Sequence, residues 1–133
     1  MSAFQYTIVT PDGDSIGGEC ESLFVPTGNG VIGILAHHAP LLSELSFGEV
    51  RIVNGADTKR YFIENGYVEV LRNKVSLMVE RVIEPSRIDK KSVAAEKAEL
   101  ETQQAALTPP IDYEKLNRIK DRIRRCDTML SLS

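Results

Sequence analysis

Long hydrophobic runs are missing from this 133-residue sequence. No apolar stretch approaches the roughly 18 residues of a membrane span. The opening segment MSAFQYTIVTPDG has neither a basic n-region nor an apolar h-region. The expectation is a soluble chain with no direct membrane insertion and no cleaved export signal. Cysteine is scarce too: Cys20 and Cys126 stand in segments of different character, and no disulfide framework is implied. A reducing cytosol is the default compartment. Positive charge is also short, with 16 Lys plus Arg against 19 Asp plus Glu and a net charge of −3. A general nucleic-acid coat needs a cationic surface, so that class starts weak.

Catalytic motifs are equally thin. His37 and His38 are the only histidines and are adjacent; neighbours on a strand point to opposite faces and do not easily share a metal. No Cys or carboxylate stands at zinc spacing around them, and neither HExxH nor CxxC occurs. There is no G-x-S-x-G and no GxxxxGK[ST] loop. Gly28, Gly30 and Gly33 imitate a dinucleotide fingerprint, but no strand-to-helix context follows, so a tight loop entering a strand is the better reading. No acidic pair is defensible as general acid and base. The expectation is therefore no catalytic residue, no metal and no cofactor.

Hydrophobic residues at 42% and charged residues at 26% are ordinary globular values. Residues 1–85 read as strands. Phe4, Tyr6 and Ile8 alternate with polar residues up to the turn Pro11-Asp12-Gly13. Short runs follow at Leu23–Val25, ending in a turn Pro26–Gly30, then at Ile32–Leu35, Glu49–Val53, Arg60–Ile63, Tyr67–Leu71 and Val75–Ile83. Asn54-Gly55, Asn65-Gly66 and Arg72-Asn73 supply hairpin or bulge turns. Many short strands with frequent turns point to a sandwich or barrel.

The pattern changes at Pro85. Ser86–Leu107 is rich in Ala, Glu, Lys and Gln and reads as a helix. Pro109-Pro110 stops it. A second helix begins near Asp112, a cap, with Tyr113, Leu116, Ile119, Ile123, Cys126 and Leu130 spaced 3, 3, 4, 3 and 4. The first helix has a thinner stripe of Ile88, Val93 and several alanines, suited to close packing. The expected fold is thus an antiparallel β-sandwich over 1–85 followed by a two-helix antiparallel hairpin over 86–133. Charge divides with structure: residues 1–85 carry net −5, residues 86–110 are neutral, and residues 111–133 carry net +2. Lys115, Arg118, Lys120, Arg122, Arg124 and Arg125 crowd the second helix. Such a stripe serves equally well as a solvated face or as a surface for an acidic partner. Residue patterns alone stop at a binding or structural protein. One reading is a free-standing β-sandwich adaptor whose basic hairpin binds acidic partners.

The stretch Val25-Pro26-Thr27-Gly28-Asn29-Gly30-Val31-Ile32-Gly33-Ile34-Leu35-Ala36-His37-His38-Ala39-Pro40-Leu41-Leu42 closely resembles the signature of the epsilon-subunit family of F-type ATP synthases. Ile8–Asp12, Gly48–Ile52, Phe62–Val70 and the Ile88-Asp89 helix start resemble the family in the same order, so the resemblance spans essentially the whole chain. It implies a sandwich of about ten strands and two C-terminal helices. It implies a non-catalytic rotor subunit of a proton-translocating complex that joins the gamma subunit to the c-ring. It also implies a peripheral position on the cytoplasmic face of a bacterial cell membrane. The hairpin is implied to be a two-state brake whose basic residues meet the beta subunits of the catalytic alpha/beta head and inhibit ATP hydrolysis.

Carried over by position, Val31, His38, Ala39 and Pro40 are implied contacts to gamma and the c-ring. Ala36-His37 departs from the commoner Pro-Gly, and Val31 stands where many members are acidic. Lys115, Arg118, Arg122, Arg124 and Arg125 are the implied inhibitory contacts. Some bacterial members bind ATP through Ile/Leu-Asp-x-x-Arg-Ala and second-helix arginines. Here Ile88, Asp89 and Arg122 match, but Ser92 and Val93 replace the Arg-Ala, and Cys126 stands at a further arginine position. Each lost charged phosphate contact removes on the order of a kcal/mol or more, so ATP binding is expected to be weak or absent.

Overall fold

The computed structural model describes residues 2–132. Eight strands are followed by two helices: β1 (Phe4–Val9), β2 (Ser15–Cys20), β3 (Ser22–Thr27), β4 (Gly30–Leu35), β5 (Leu41–Leu45), β6 (Gly48–Asn54), β7 (Asp57–Leu71), β8 (Lys74–Ile83), α1 (Lys90–Ala105) and α2 (Tyr113–Leu132). The chain divides into two compact units at Glu84/Pro85.

The first unit is an eight-stranded sandwich, where the resemblance implied about ten strands. Alternation decides which side chains point inward: Phe4, Tyr6 and Ile8 of β1 are buried, as are Val50 and Ile52 of β6, Val68 and Val70 of β7, and Val75, Leu77 and Val79 of β8. They join Leu23, Val25 and Ile34 in one core. β1 pairs antiparallel with β2 and parallel with β8. β8 in turn pairs antiparallel with β7. The long β7 joins two sets of partners, since its first half pairs with β6 and its second half with β5. The change of partner falls at Asn65 (φ 39°) and Gly66 (φ 148°). Asn65-Gly66, expected as a hairpin or bulge turn, is therefore a bend inside one continuous strand. Gly66 is required there because a Cβ would collide with the Met78 carbonyl oxygen and stand 2.8 Å from Val79 Cα.

Three further strand features differ from the sequence expectation. β2 and β5 were not among the expected runs. Pro26 lies within β3, opposite Val31 of β4, rather than in a turn. Its missing N–H costs nothing because β3 stops pairing with β6 at Phe24 and meets β5 only at Thr27. The turn is reduced to Gly28-Asn29 between paired Thr27 and Gly30.

The second unit is the helical hairpin. A single 3₁₀ turn, Pro85–Arg87, precedes α1, so the helix starts later than Ser86. Asp89 caps it, accepting hydrogen bonds from the Lys91 and Ser92 amides at 3.0 and 3.2 Å. Asp112 caps α2 in the same way, accepting from the Lys115 amide at 3.2 Å. Val93 and Leu100 of α1 pack with Ile119 and Cys126 of α2, flanked by Ile88, Leu107, Ile123, Met129 and Leu130. The alanines expected in this seam, Ala94, Ala95 and Ala98, are exposed instead. The spacing explains this: Val93, Lys97, Leu100 and Gln104 recur every 3 or 4 residues and turn the alanines outward. Tyr113 is 69% exposed and lies off the buried part of the α2 stripe. Among the described residues no helix is long and apolar enough to cross a membrane.

Candidate functional site

Val31, His38, Ala39 and Pro40, the implied contacts to gamma and the c-ring, lie at the two ends of β4. Val31 is near the β3–β4 turn and 67% exposed. His38, Ala39 and Pro40 follow the far end, about 13 Å away at 3.3 Å per residue. They form the loop between β4 and β5, not a strand, so strand geometry does not separate the two histidines. His37 takes a left-handed conformation (φ 61°), a backbone state that Ala36-His37 reaches without the family's glycine. Its amide donates to Asn73 Oδ1 at 2.7 Å, and Asn73 Nδ2 donates to the Ala3 carbonyl. Asn73 thus ties this loop to the β7–β8 turn and to the start of β1. His38 Nδ1 lies 2.7 Å from the Ala39 carbonyl oxygen. No three His, Cys, Asp or Glu side chains are placed to hold a metal among the described residues.

A second surface was not read from the sequence. The outward face of β5, β7 and β8 presents Leu42, Tyr67, Leu71 and Met78, with Leu42 69% and Tyr67 54% exposed. Tyr67 stands directly across from Met78, and Leu42 across from Glu69, so the apolar side chains are neighbours and Glu44 and Glu69 share their face. Val9 of β1, opposite Met78, extends the strip. Two shallow grooves border it: one of about 380 Å³ lined by Val9, Pro11, Tyr67 and Met78 among others, and one of about 300 Å³ lined by Pro40, Leu42 and Leu71 among others. The signal was present in Tyr67-x-Glu69-x-Leu71, where Tyr67 and Leu71 put large apolar groups at solvent-facing positions on either side of Glu69.

The third surface is α2. Lys115, Arg118, Arg122 and Arg125 follow one another at 3, 4 and 3 residues and share a face, whereas Arg124 lies on another. Lys115 and Arg118 are exposed. Arg124 binds Asp121 at 2.8 Å within its own helix. Arg122 instead crosses to α1, its Nη2 lying 3.2 Å from Glu96 Oε1. A second cross-helix pair, Lys97 Nζ to Asp127 Oδ1, measures 2.6 Å, and this hydrogen bond holds the Lys97 ammonium above its ordinary pKa. Sequence reasoning missed Glu96, Lys97 and Asp127, because their pairing depends on the register of the two helices.

The residues matched to nucleotide binding have other partners here. Ile88 packs against the hairpin core. Asp89 is occupied by the α1 cap, and the Ser92 amide and hydroxyl lower its pKa. Arg122 faces Glu96.

Both thiols are buried and free. Burial pushes the Cys20 thiol up to about 11 and also raises that of Cys126.

Residues 3–85 match the family model described as ATP synthase, Delta/Epsilon chain, beta-sandwich domain. The chloroplastic ATP synthase epsilon chain of Cyanidioschyzon merolae is 37% identical, over 88% of this chain and 91% of its own length. The ATP synthase epsilon chain of Shouchella clausii is 31% identical, over 96% and 95%. Among solved structures, a chain of the Euglena gracilis mitochondrial ATP synthase (OSCP/F1/c-ring) superposes with a TM-score of 0.80 at 16% identity, over 95% of this chain and 78% of that one. A chain of the Tetrahymena thermophila mitochondrial ATP synthase central stalk/c-ring gives 0.63 at 19% identity, over 95% of each. With its N-terminal β-sandwich and C-terminal helix pair, the chain belongs to the ATP synthase delta/epsilon family, as a member of the epsilon type.

Proposed function

We propose that this chain is a non-catalytic central-stalk subunit of a rotary ATP synthase, joining gamma to the c-ring and braking ATP hydrolysis through its helical hairpin. The observation that carries the docking role is the outward sheet face. Leu42, Tyr67, Leu71 and Met78 form an apolar strip on a sheet whose other side already packs a complete core. Apolar side chains left in water on one sheet face mark a protein interface. Glu44 and Glu69 give its occupant an electrostatic preference for basic groups. Gamma is the partner assigned to this face. Val31 at one end of β4 and the His38-Ala39-Pro40 loop at the other extend the contact toward gamma and the c-ring. The relatives and structural neighbours, named as epsilon chains and as parts of central-stalk and c-ring assemblies, support this reading.

The brake is assigned to the α2 face of Lys115, Arg118, Arg122 and Arg125, with Arg124 contributing from another face of the same helix, acting on acidic segments of the beta subunits. ATP binding at the hairpin is weak or absent in this reading, because Ser92 replaces an arginine and supports the Asp89 cap instead. The subunit sits peripherally, on the cytoplasmic face of a bacterial cell membrane.

The test is titration into an epsilon-free catalytic head containing gamma, using the full chain, a chain ending at Pro85 and a Tyr67→Glu variant. The full chain binds and slows ATP hydrolysis, the truncated chain binds without slowing it, and Tyr67→Glu loses binding. If the full chain and truncation both bind without inhibition, the subunit couples only. Failure of the full chain to bind gamma refutes the central-stalk role and favours the adaptor.

A further inference from the structure

We infer that Glu96 of α1 is an internal stand-in for the acidic partner of the basic helix, holding Arg122 so that the closed hairpin cannot present it. This rests on the brake reading given above for the α2 face.

Three observations support the inference. Arg122 occupies the middle of the face running Lys115, Arg118, Arg122 and Arg125. Its guanidinium reaches a carboxylate on the other helix at 3.2 Å, although both side chains remain about half exposed, at 56% and 47%. Exposure matters here, because a pair in contact with water exchanges partners without stranding a buried charge. The Lys97–Asp127 pair at 2.6 Å bridges the same two helices beside the Arg122–Glu96 pair. Two carboxylates competing for the same Arg122 Nη2 cannot both occupy one position. An acidic segment that uses Arg122 Nη2 must therefore displace Glu96. Glu96 thus competes for Arg122 while the hairpin is closed, and the apparent affinity of the basic face is reduced by the fraction of Arg122 that Glu96 holds.

The test compares the full chain with Glu96→Gln and with Glu99→Gln, which removes the same charge from an exposed position three residues away. Hexaglutamate serves as the acidic probe, and NMR shifts of the α2 amides report binding at low salt. Glu96→Gln binds the probe about two- to fivefold more tightly, the range that loss of one exposed pair allows. Glu99→Gln stays close to the parent. The gain disappears when Arg122→Gln is combined with Glu96→Gln, a double-mutant cycle that isolates this pair. Equal affinity of the parent and Glu96→Gln overturns the inference, as does a gain that survives without Arg122.

The same variants are assayed against ATP hydrolysis by the epsilon-free head. If none inhibits while the probe-binding difference stands, the brake reading fails and the Glu96 clasp remains. If the parent inhibits and Glu96→Gln inhibits no better, the clasp fails and the brake remains.

Discussion

Replacing Gly66 with alanine tests the central claim about the sandwich, that one glycine lets β7 serve two sets of partners. Two costs combine. The backbone at φ 148° lies in a region nearly restricted to glycine, and holding another residue there costs about 1–3 kcal/mol. The added Cβ also overlaps the Met78 carbonyl and comes within 2.8 Å of Val79 Cα. These are backbone atoms of β8, which cannot simply retreat because β8 is paired on its other side with β1 through Val9 and Met78. A forced shift of this kind costs about 1–3 kcal/mol. The two together give an expected loss of about 2–6 kcal/mol, a large part of the roughly 5–15 kcal/mol that stabilises a typical domain. Gly13→Ala is the control: Gly13 also has positive φ, at 89°, but nothing lies within 4 Å of its Cβ position. It should lose only about 1–2 kcal/mol. Urea unfolding followed by near-UV circular dichroism reads the sandwich selectively, since the sequence has no tryptophan and the buried tyrosines Tyr6 and Tyr61 both lie in that core. A Gly66→Ala loss no larger than that of Gly13→Ala would refute the collision.

Other perturbations address the helices, the thiols and the nucleotide. Leu100 is fully buried between α1 and α2, so Leu100→Ala should destabilise the hairpin by about 2–5 kcal/mol. Ellipticity at 222 nm should melt earlier while the near-UV tyrosine signal is retained, and an unchanged helical melt contradicts this packing. The Cys20 thiol has its folded pKa raised to about 11 from 9.0; its contribution to stability is full below pH 9 and is lost as pH rises from 9 to 11. A Cys20→Ala variant should show a shallower fall in stability over that window. In the parent at pH 8, a thiol reagent should label Cys126 only as the helices part and Cys20 only as the sandwich unfolds; rapid labelling of both in the native protein contradicts the burial. Isothermal titration with ATP should give no measurable heat at micromolar concentrations, and a micromolar dissociation constant would remove the argument from Ser92.

The sequence made β1 and the α2 stripe legible because each expresses its own period. β2 was not legible: in Ser15-Ile16-Gly17-Gly18-Glu19-Cys20 only Ile16 and Cys20 are apolar, and glycine weakens strand propensity. Those glycines make sense only against β1. A Cβ on Gly17 would stand only 3.2 Å from Thr7 Cγ2 and from the Tyr6 carbonyl oxygen, whereas one on Gly18 would meet the Tyr6 ring at ordinary contact distance. The strand is therefore set by its partner's side chains. β5 is similar, a short leucine-rich segment fixed by its register with the second half of β7. The outward apolar strip was not legible for another reason. Large apolar residues in a strand resemble core until the pairing shows which face is already filled.

The hairpin's energetics separate the roles of its packing and its ion pairs. Its buried core comprises Val93, Leu100, Ile119 and Cys126, against seventeen buried residues in the sandwich cluster, among the described residues. Local opening free energies follow buried apolar contact, so the helices should part at a lower free energy than the sandwich unfolds. The exposed Arg122–Glu96 pair contributes at most about 1 kcal/mol, less than the 2–5 kcal/mol attached to Leu100 alone. Packing at Leu100 therefore sets how often the hairpin opens, and Glu96 sets what Arg122 binds while it is closed. The two roles predict different signatures. Leu100→Ala should raise the exchange of α2 amides whether or not an acidic probe is present. Glu96→Gln should leave that exchange nearly unchanged and alter chiefly the affinity for the probe. Amide exchange measured on both variants would refute this division if Glu96→Gln loosened α2 as much as Leu100→Ala.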